Sequence, residues 1–167
     1  MEKLWAPWRG KYVKNVGKVK GCFLCEHLKL KDACKSLVLY KGKHSFIILN
    51  RFPYNNGHLM IAPNKHLKNL EDLSDEEANE IFSLVRKIIP ILKKAYRPQG
   101  FNVGINLGAC AGTSVEAHLH LHIVPRWEGD TNYMPVIGET KIIPESLQES
   151  YKIIKNEIRK YWDKKCK

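Results

Sequence analysis

The chain has 167 residues, of which 44% are hydrophobic and 27% charged, the usage of ordinary globular proteins, so wholesale disorder is disfavoured and a single domain with a sizeable core is expected. Its net charge of +11 is scattered and then dense at the end (Lys152, Lys155, Lys160, Lys164, Lys165, Lys167), without a nucleic-acid-binding motif, so a solvated lysine surface is expected rather than a nucleic-acid partner. The longest apolar runs, such as Phe46–Leu49 and Ile88–Leu92, fall far short of the roughly 20 residues that span a bilayer, and Met1–Arg9 lacks the apolar stretch of a secretory signal, so no membrane association and a cytoplasmic location are expected.

In chain order, the segment up to about Asp32 is rich in Gly, Trp and Lys with little periodicity, and reads as an extended arm followed by a Cys-bearing turn. Leu37–Tyr40 and Ser45–Leu49 have strand composition, and the short Lys41–His44 segment between them predicts a hairpin. After the turn-rich loop Asn50–Gly57, His58–Pro63 predicts a third strand ended by its proline. Ser74 and Glu77 form a capping-box signature, and Ala78, Ile81, Phe82, Val85, Ile88, Ile89 and Leu92 follow at helical spacing, with Pro90 expected to kink the last turns.

Phe101–Asn106 predicts a fourth strand, and His118–Val124 a fifth beyond a loop containing Gly108 and Gly112. Glu128–Ile143 reads as loop, and Leu147, Tyr151, Ile154, Ile158 and Trp162 mark one face of a C-terminal amphipathic helix. The expected fold class is α+β: an antiparallel sheet with a long central helix and a C-terminal helix. The expected organisation is one domain over 1–167, with an N-terminal arm at 1–20, a core at 20–127 and a C-terminal loop and helix at 128–167.

Chemistry concentrates in His118-Leu119-His120-Leu121-His122. Side chains alternate faces along a strand, so the three imidazoles are expected on one face and Leu119, Leu121 and Ile123 on the other, toward the core. Each buried imidazole needs partners for both ring nitrogens, so three of them in alternation are hard to explain as packing. Two roles compete, a metal cluster and nucleophilic catalysis by a histidine held in one tautomer. The upstream segment Asn106–Ser114 is a Gly-rich polar loop able to present N–H groups and hydroxyls to phosphate oxygens, which puts a phosphate beside the histidines.

These residues resemble the histidine triad (HIT) superfamily, whose signature is three histidines alternating with apolar residues, here His118-Leu119-His120-Leu121-His122-Ile123-Val124. Asn50 and Gly57–Pro63 resemble the family's nucleoside-side strands, and Asn106 with Gly112-Thr113-Ser114 its phosphate-side loop. Trp5-Ala6-Pro7-Trp8-Arg9 and Pro125–Val136 resemble the bacterial and archaeal branch that includes diadenosine tetraphosphate phosphorylases.

The resemblance implies a HIT-like fold and an enzyme in which His120 attacks the α-phosphorus of a nucleotide. A covalent nucleotidyl-histidine results, with His122 contacting the phosphate and Asn50, Asn106, Gly112, Thr113 and Ser114 binding the nucleotide. In that branch inorganic phosphate, rather than the water used by hydrolases, resolves the intermediate, turning diadenosine tetraphosphate into ADP and ATP. The family also includes hydrolases of phosphoramidates and dinucleoside polyphosphates, and its fold permits non-catalytic nucleotide sensing. Arg126 and nearby lysines are candidates for binding further phosphates, with a solvated surface pair as the alternative. A homodimer is implied, and no organic cofactor is expected.

Cys22-Phe23-Leu24-Cys25 has C-x-x-C spacing, open to zinc binding or to redox chemistry; no βαβ unit of the thioredoxin kind surrounds it. Cys22, Cys25, His66 and His118 are the set that the resemblance implies for a structural zinc. Cys34, Cys110 and Cys166 are expected unpaired, His27 and His44 on the surface, and His58 as a packing or orienting residue.

Overall fold

The computed structural model describes residues 21–111, 118–130, 143 and 145–162. The N-terminal arm at 1–20, the loop at 112–117 with Gly112, Thr113 and Ser114, and residues 131–142, 144 and 163–167 lie outside the described residues.

Helix α1 (Phe23–Lys29) begins immediately after Cys22, and the short α2 (Ala33–Ser36) follows. The Cys-bearing segment is therefore helical, not a turn. Its Phe23, Leu24 and Leu28 pack on the core, with Leu24 fully buried, and this burial outweighs the weak local periodicity. His27 is not a surface residue either: it is half-buried, its Nδ1 lies 2.8 Å from the Ser36 carbonyl, and its ring meets Phe23.

Strands β1 (Val38–Lys41), β2 (Ser45–Leu49), β3 (Leu59–Pro63), β4 (Gly100–Ile105) and β5 (Leu121–Arg126) form one sheet in the order β1-β2-β3-β5-β4, with every pairing antiparallel. The hairpin between β1 and β2 is held from the central helix. Glu80 accepts the N–H groups of Lys43 (3.0 Å), His44 (2.6 Å) and Ser45 (2.6 Å), so one carboxylate satisfies a turn that its own residues leave open.

The central helix α3 (Asp75–Tyr96) starts as expected: Ser74 accepts the Glu77 N–H and Glu77 returns a bond to the Ser74 N–H. It runs six residues past Pro90 before Arg97 closes it in a left-handed conformation. Its Ile81, Leu84, Ile88 and Leu92 are buried against the sheet face carrying Ile61, Leu121 and Ile123. The C-terminal helix α4 (Leu147–Tyr161), capped by Ser146, buries Tyr151, Ile154 and Ile158 on α3 and β1. Among the described residues no helix is long and apolar enough to cross a membrane.

One boundary differs in a way that matters. The fifth strand begins at Leu121, not His118; residues 118–120 precede the ladder, held by the Leu119 N–H donating to the Leu67 carbonyl. β3 ends at Pro63, which has no N–H with which to extend the pairing.

Candidate active site and metal centre

The ladder register places His122 opposite Met60 on β3 and Gly104 on β4. Residues directly opposite share a face, so His122, Val124 and Arg126 lie on the sheet face away from α3, with Gly104 and Asn102 beside them. His120 is buried and its ring meets that of His122 edge-on at 4.7 Å.

Hydrogen bonds assign the tautomers. His120 Nδ1 lies 2.8 Å from the His118 carbonyl, which can only accept, so Nδ1 carries the proton and Nε2 the lone pair. Burial is the main cause holding this imidazole below its ordinary range, so it stays neutral.

His58 is fully buried, stacked under Tyr54 at 4.8 Å, and its Nδ1 accepts the Tyr54 N–H at 3.1 Å. Its proton is therefore on Nε2, which donates to His122 Nδ1 at 3.0 Å and leaves the His122 proton on Nε2. Asn50 Nδ2, 3.4 Å from the same His58 nitrogen, is itself a donor and only borders it; Asn50 Oδ1 accepts the Phe52 N–H. Burial, then the neighbouring His122 and His120, push the His58 pKa down to about 3. His58 is thus an orienting group joined directly to the triad. Sequence reasoning raised that role without a partner, because its partner is 64 residues away.

The approach to His58 is shaped by Gly57. Its φ of +71° is left-handed, and a Cβ there would lie 2.8 Å from the Tyr96 ring. Tyr96 in turn donates to Glu145, ahead of α4.

His118 points elsewhere. Its Nε2–H donates to the Pro63 carbonyl at 2.9 Å, which leaves the Nδ1 lone pair facing Cys22 Sγ at 3.3 Å and Cys25 Sγ at 3.5 Å. His66 Nδ1 lies 3.4 Å from Cys25 Sγ. The four donor atoms fall within 4.8 Å of one another, the spread of one coordination sphere. Burial pushes the Cys25 thiol up to about 11 and, more than any other cause, lowers His118 to about 4. The imidazole is thereby neutral, as a ligand must be, while a bound cation would favour the thiolates over the thiols. Two sulfurs and two imidazoles suit a borderline-soft divalent metal, so the residues present fit a structural ion.

Of the remaining expected site residues, Asn106 is half-buried at the end of β4 and faces the same groove as His122, Asn102 and Arg126. Gly112, Thr113 and Ser114 lie outside the described residues. Cys110 is exposed with a free thiol.

A buried His120 with its Nδ1 proton on the His118 carbonyl, the His58–His122 pair beside it and an open groove over an antiparallel sheet together make the arrangement of a histidine-triad protein. The HIT domain model matches residues 31–129, and the chain belongs to that family. An AP-4-A phosphorylase of Mycobacterium tuberculosis is 39% identical over 165 residues, covering 94% of this chain and 84% of its own. A hypothetical histidine triad nucleotide-binding protein of Sulfolobus tokodaii superposes with a TM-score of 0.66 at 26% identity, covering 83% of this chain and 93% of its own. The Plasmodium falciparum diadenosine triphosphate hydrolase, solved in complex with cyclomarin A, gives a TM-score of 0.63 at 26% identity, covering 75% and 78%.

Proposed function

We propose that this HIT-family enzyme cleaves dinucleoside polyphosphates, diadenosine tetraphosphate among them, through a nucleotidyl-histidine that inorganic phosphate resolves. The observation that carries the reading is the tautomer of His120: the His118 carbonyl takes Nδ1–H and leaves the Nε2 lone pair as the nucleophile. In the first step Nε2 bonds to the α-phosphorus and the bond from that phosphorus to its bridging oxygen breaks, releasing ATP. In the second a phosphate oxygen attacks the same phosphorus, the P–N bond breaks, and ADP leaves with His120 restored.

His122, its proton held on Nε2 by the His58 relay, donates to a phosphoryl oxygen on which charge builds in each step. Asn50, Asn106, Gly112, Thr113 and Ser114 bind the nucleotide in this reading. The phosphorolytic activity named for the 39%-identical mycobacterial relative supports phosphate over water as the acceptor.

Cys22, Cys25, His66 and His118 hold a structural zinc that pins α1 to the end of β3. It takes no part in the chemistry except by anchoring the segment whose carbonyl orients His120. The protein acts in the cytoplasm as a homodimer. Support for the dimer is the edge of β4, unpaired among the described residues, with exposed Val103 on it and Phe82 of α3, 61% exposed, beside Ile105.

Incubation with diadenosine tetraphosphate tests the reaction. ADP and ATP forming only when phosphate is present are the expected products; AMP and ATP in water alone would overturn phosphorolysis in favour of hydrolysis. Binding without turnover under either condition would reduce the protein to a nucleotide sensor. His120→Ala is expected to abolish turnover and the acid-labile nucleotidyl adduct together.

A further inference from the structure

Beside the histidines, β4, β5 and the loop before β3 enclose a groove of about 400 Å³. Tyr54 and Asn55 form one wall, Asn102 and Gly104 the other, and Val124 and Arg126 continue away from His122. The sheet order β2-β3-β5-β4 sets this groove on the opposite side of the His58–His122 pair from Asn50, which follows β2. Two binding directions therefore diverge from the nucleophile.

The floor and the far end have distinct chemistry. A Cβ added at Gly104 or Gly100 would meet nothing within 4 Å among the described residues, so this strip of β4 presents bare backbone to a ligand. Arg126 closes the end as a fixed cation. Its Nε donates to Asp130 Oδ2 at 2.6 Å and its Nη1 to Asn102 Oδ1 at 2.5 Å, while Nη2 has no partner among the described residues. Asp130 is itself taken up by the Asn55 side chain (2.8 Å) and the Trp127 N–H (3.2 Å). Burial pushes its carboxyl up, but these bonds with that from Arg126 more than offset it and hold it ionised. A carboxylate so occupied orients the guanidinium rather than competing for a ligand.

Arg126 lies four residues beyond His122 on β5, about 13 Å at roughly 3.3 Å per residue. A phosphate seated at His120 does not reach it; a polyphosphate chain running from that phosphate does. We propose that this groove is the leaving-group subsite, in which the departing nucleoside polyphosphate lies over Gly104 with its distal phosphates on Arg126, so that Arg126 and the bare Gly104 floor select substrates with long polyphosphate leaving groups. The inference rests on the nucleotidyl-transfer reading for the identity of the ligand.

Binding to the full-length, metal-replete protein tests it without turnover, with an uncleavable α,β-methylene analogue of diadenosine tetraphosphate and with AMP as the two probes. Arg126→Ala is expected to weaken the analogue about tenfold and AMP less than twofold, and the difference is expected to shrink at high salt. Gly104→Leu, which fills the floor without disturbing the Arg126–Asp130 pair but stands opposite His122, is expected to weaken the analogue more than AMP and guards against misfolding of the first variant. Equal losses for both probes, or none for either, in folded variants overturns the subsite. Selective loss in a protein that turns over no dinucleotide would keep the subsite and remove the nucleotidyl-transfer reading, whereas phosphorolysis with unselective variants would do the reverse.

Discussion

Each triad histidine presents one nitrogen to the protein, and the partner differs each time. Pro63 takes the His118 Nε2 proton, the His118 carbonyl takes the His120 Nδ1 proton, and His58 donates to His122 Nδ1. His58→Phe keeps the size and burial of the ring but removes the donor. Turnover is expected to fall on the order of 10²-fold, the usual worth of a positioned proton donor, in steady-state assays with the fold intact by circular dichroism.

The same residue sets a pH dependence. His58 has a folded pKa of about 3 against an ordinary 6.5, so between these values the unfolded chain binds a proton that the folded chain refuses. Stability is therefore expected to fall as pH drops from 6.5 toward 3, and denaturant midpoints for His58→Phe are expected to fall less steeply over that window. Parallel profiles for the two proteins would contradict the buried neutral state. At the metal centre, plasma-emission analysis is expected to find about one zinc per chain, and Cys25→Ser is expected to lower that content. A folded, metal-free wild-type protein would refute the site.

At the scale of elements, the clearest dependence is that of the first hairpin on the central helix. Three turn N–H groups converge on Glu80, so Glu80→Ala leaves them to water and is expected to cost about 1–3 kcal/mol in urea unfolding. Nothing in the hairpin sequence Lys41–His44 announces this partner, which is why the hairpin was legible but its clamp was not.

The helices divide in the same way. Both long helices could be read from a capping residue and a repeating apolar face, since these signals lie within one or two turns. α1 could not, because the reason it is helical is a core contact at Leu24 made by distant chain. The late start of β5 has a similar origin: alternation along 118–124 is a local pattern, while the ladder depends on a neighbour that ends at Pro63.

For the whole molecule, β4 is an edge strand whose flank carries exposed Val103 and Phe82, and a second copy is the proposed cover. Phe82→Glu is expected to halve the mass measured by light scattering while leaving the circular dichroism spectrum unchanged. An unaltered dimer would place the interface elsewhere, and a monomeric wild type would remove it.

The family, the α+β class and the identity of the three histidines follow from the amino-acid sequence alone, because periodicity, capping and a five-residue motif are short-range properties of the chain. The tertiary structure decided the division of labour. Bringing Cys22 to His118 spans 96 residues, Cys25 to His66 spans 41, and His58 to His122 spans 64. Which nitrogen of an imidazole holds the proton is set by whatever donor or acceptor folding delivers to the other one. No local pattern encodes that choice, and in this protein it separates the proposed nucleophile His120, the His58-bonded His122 and the proposed metal ligand His118 within a single alternating triplet.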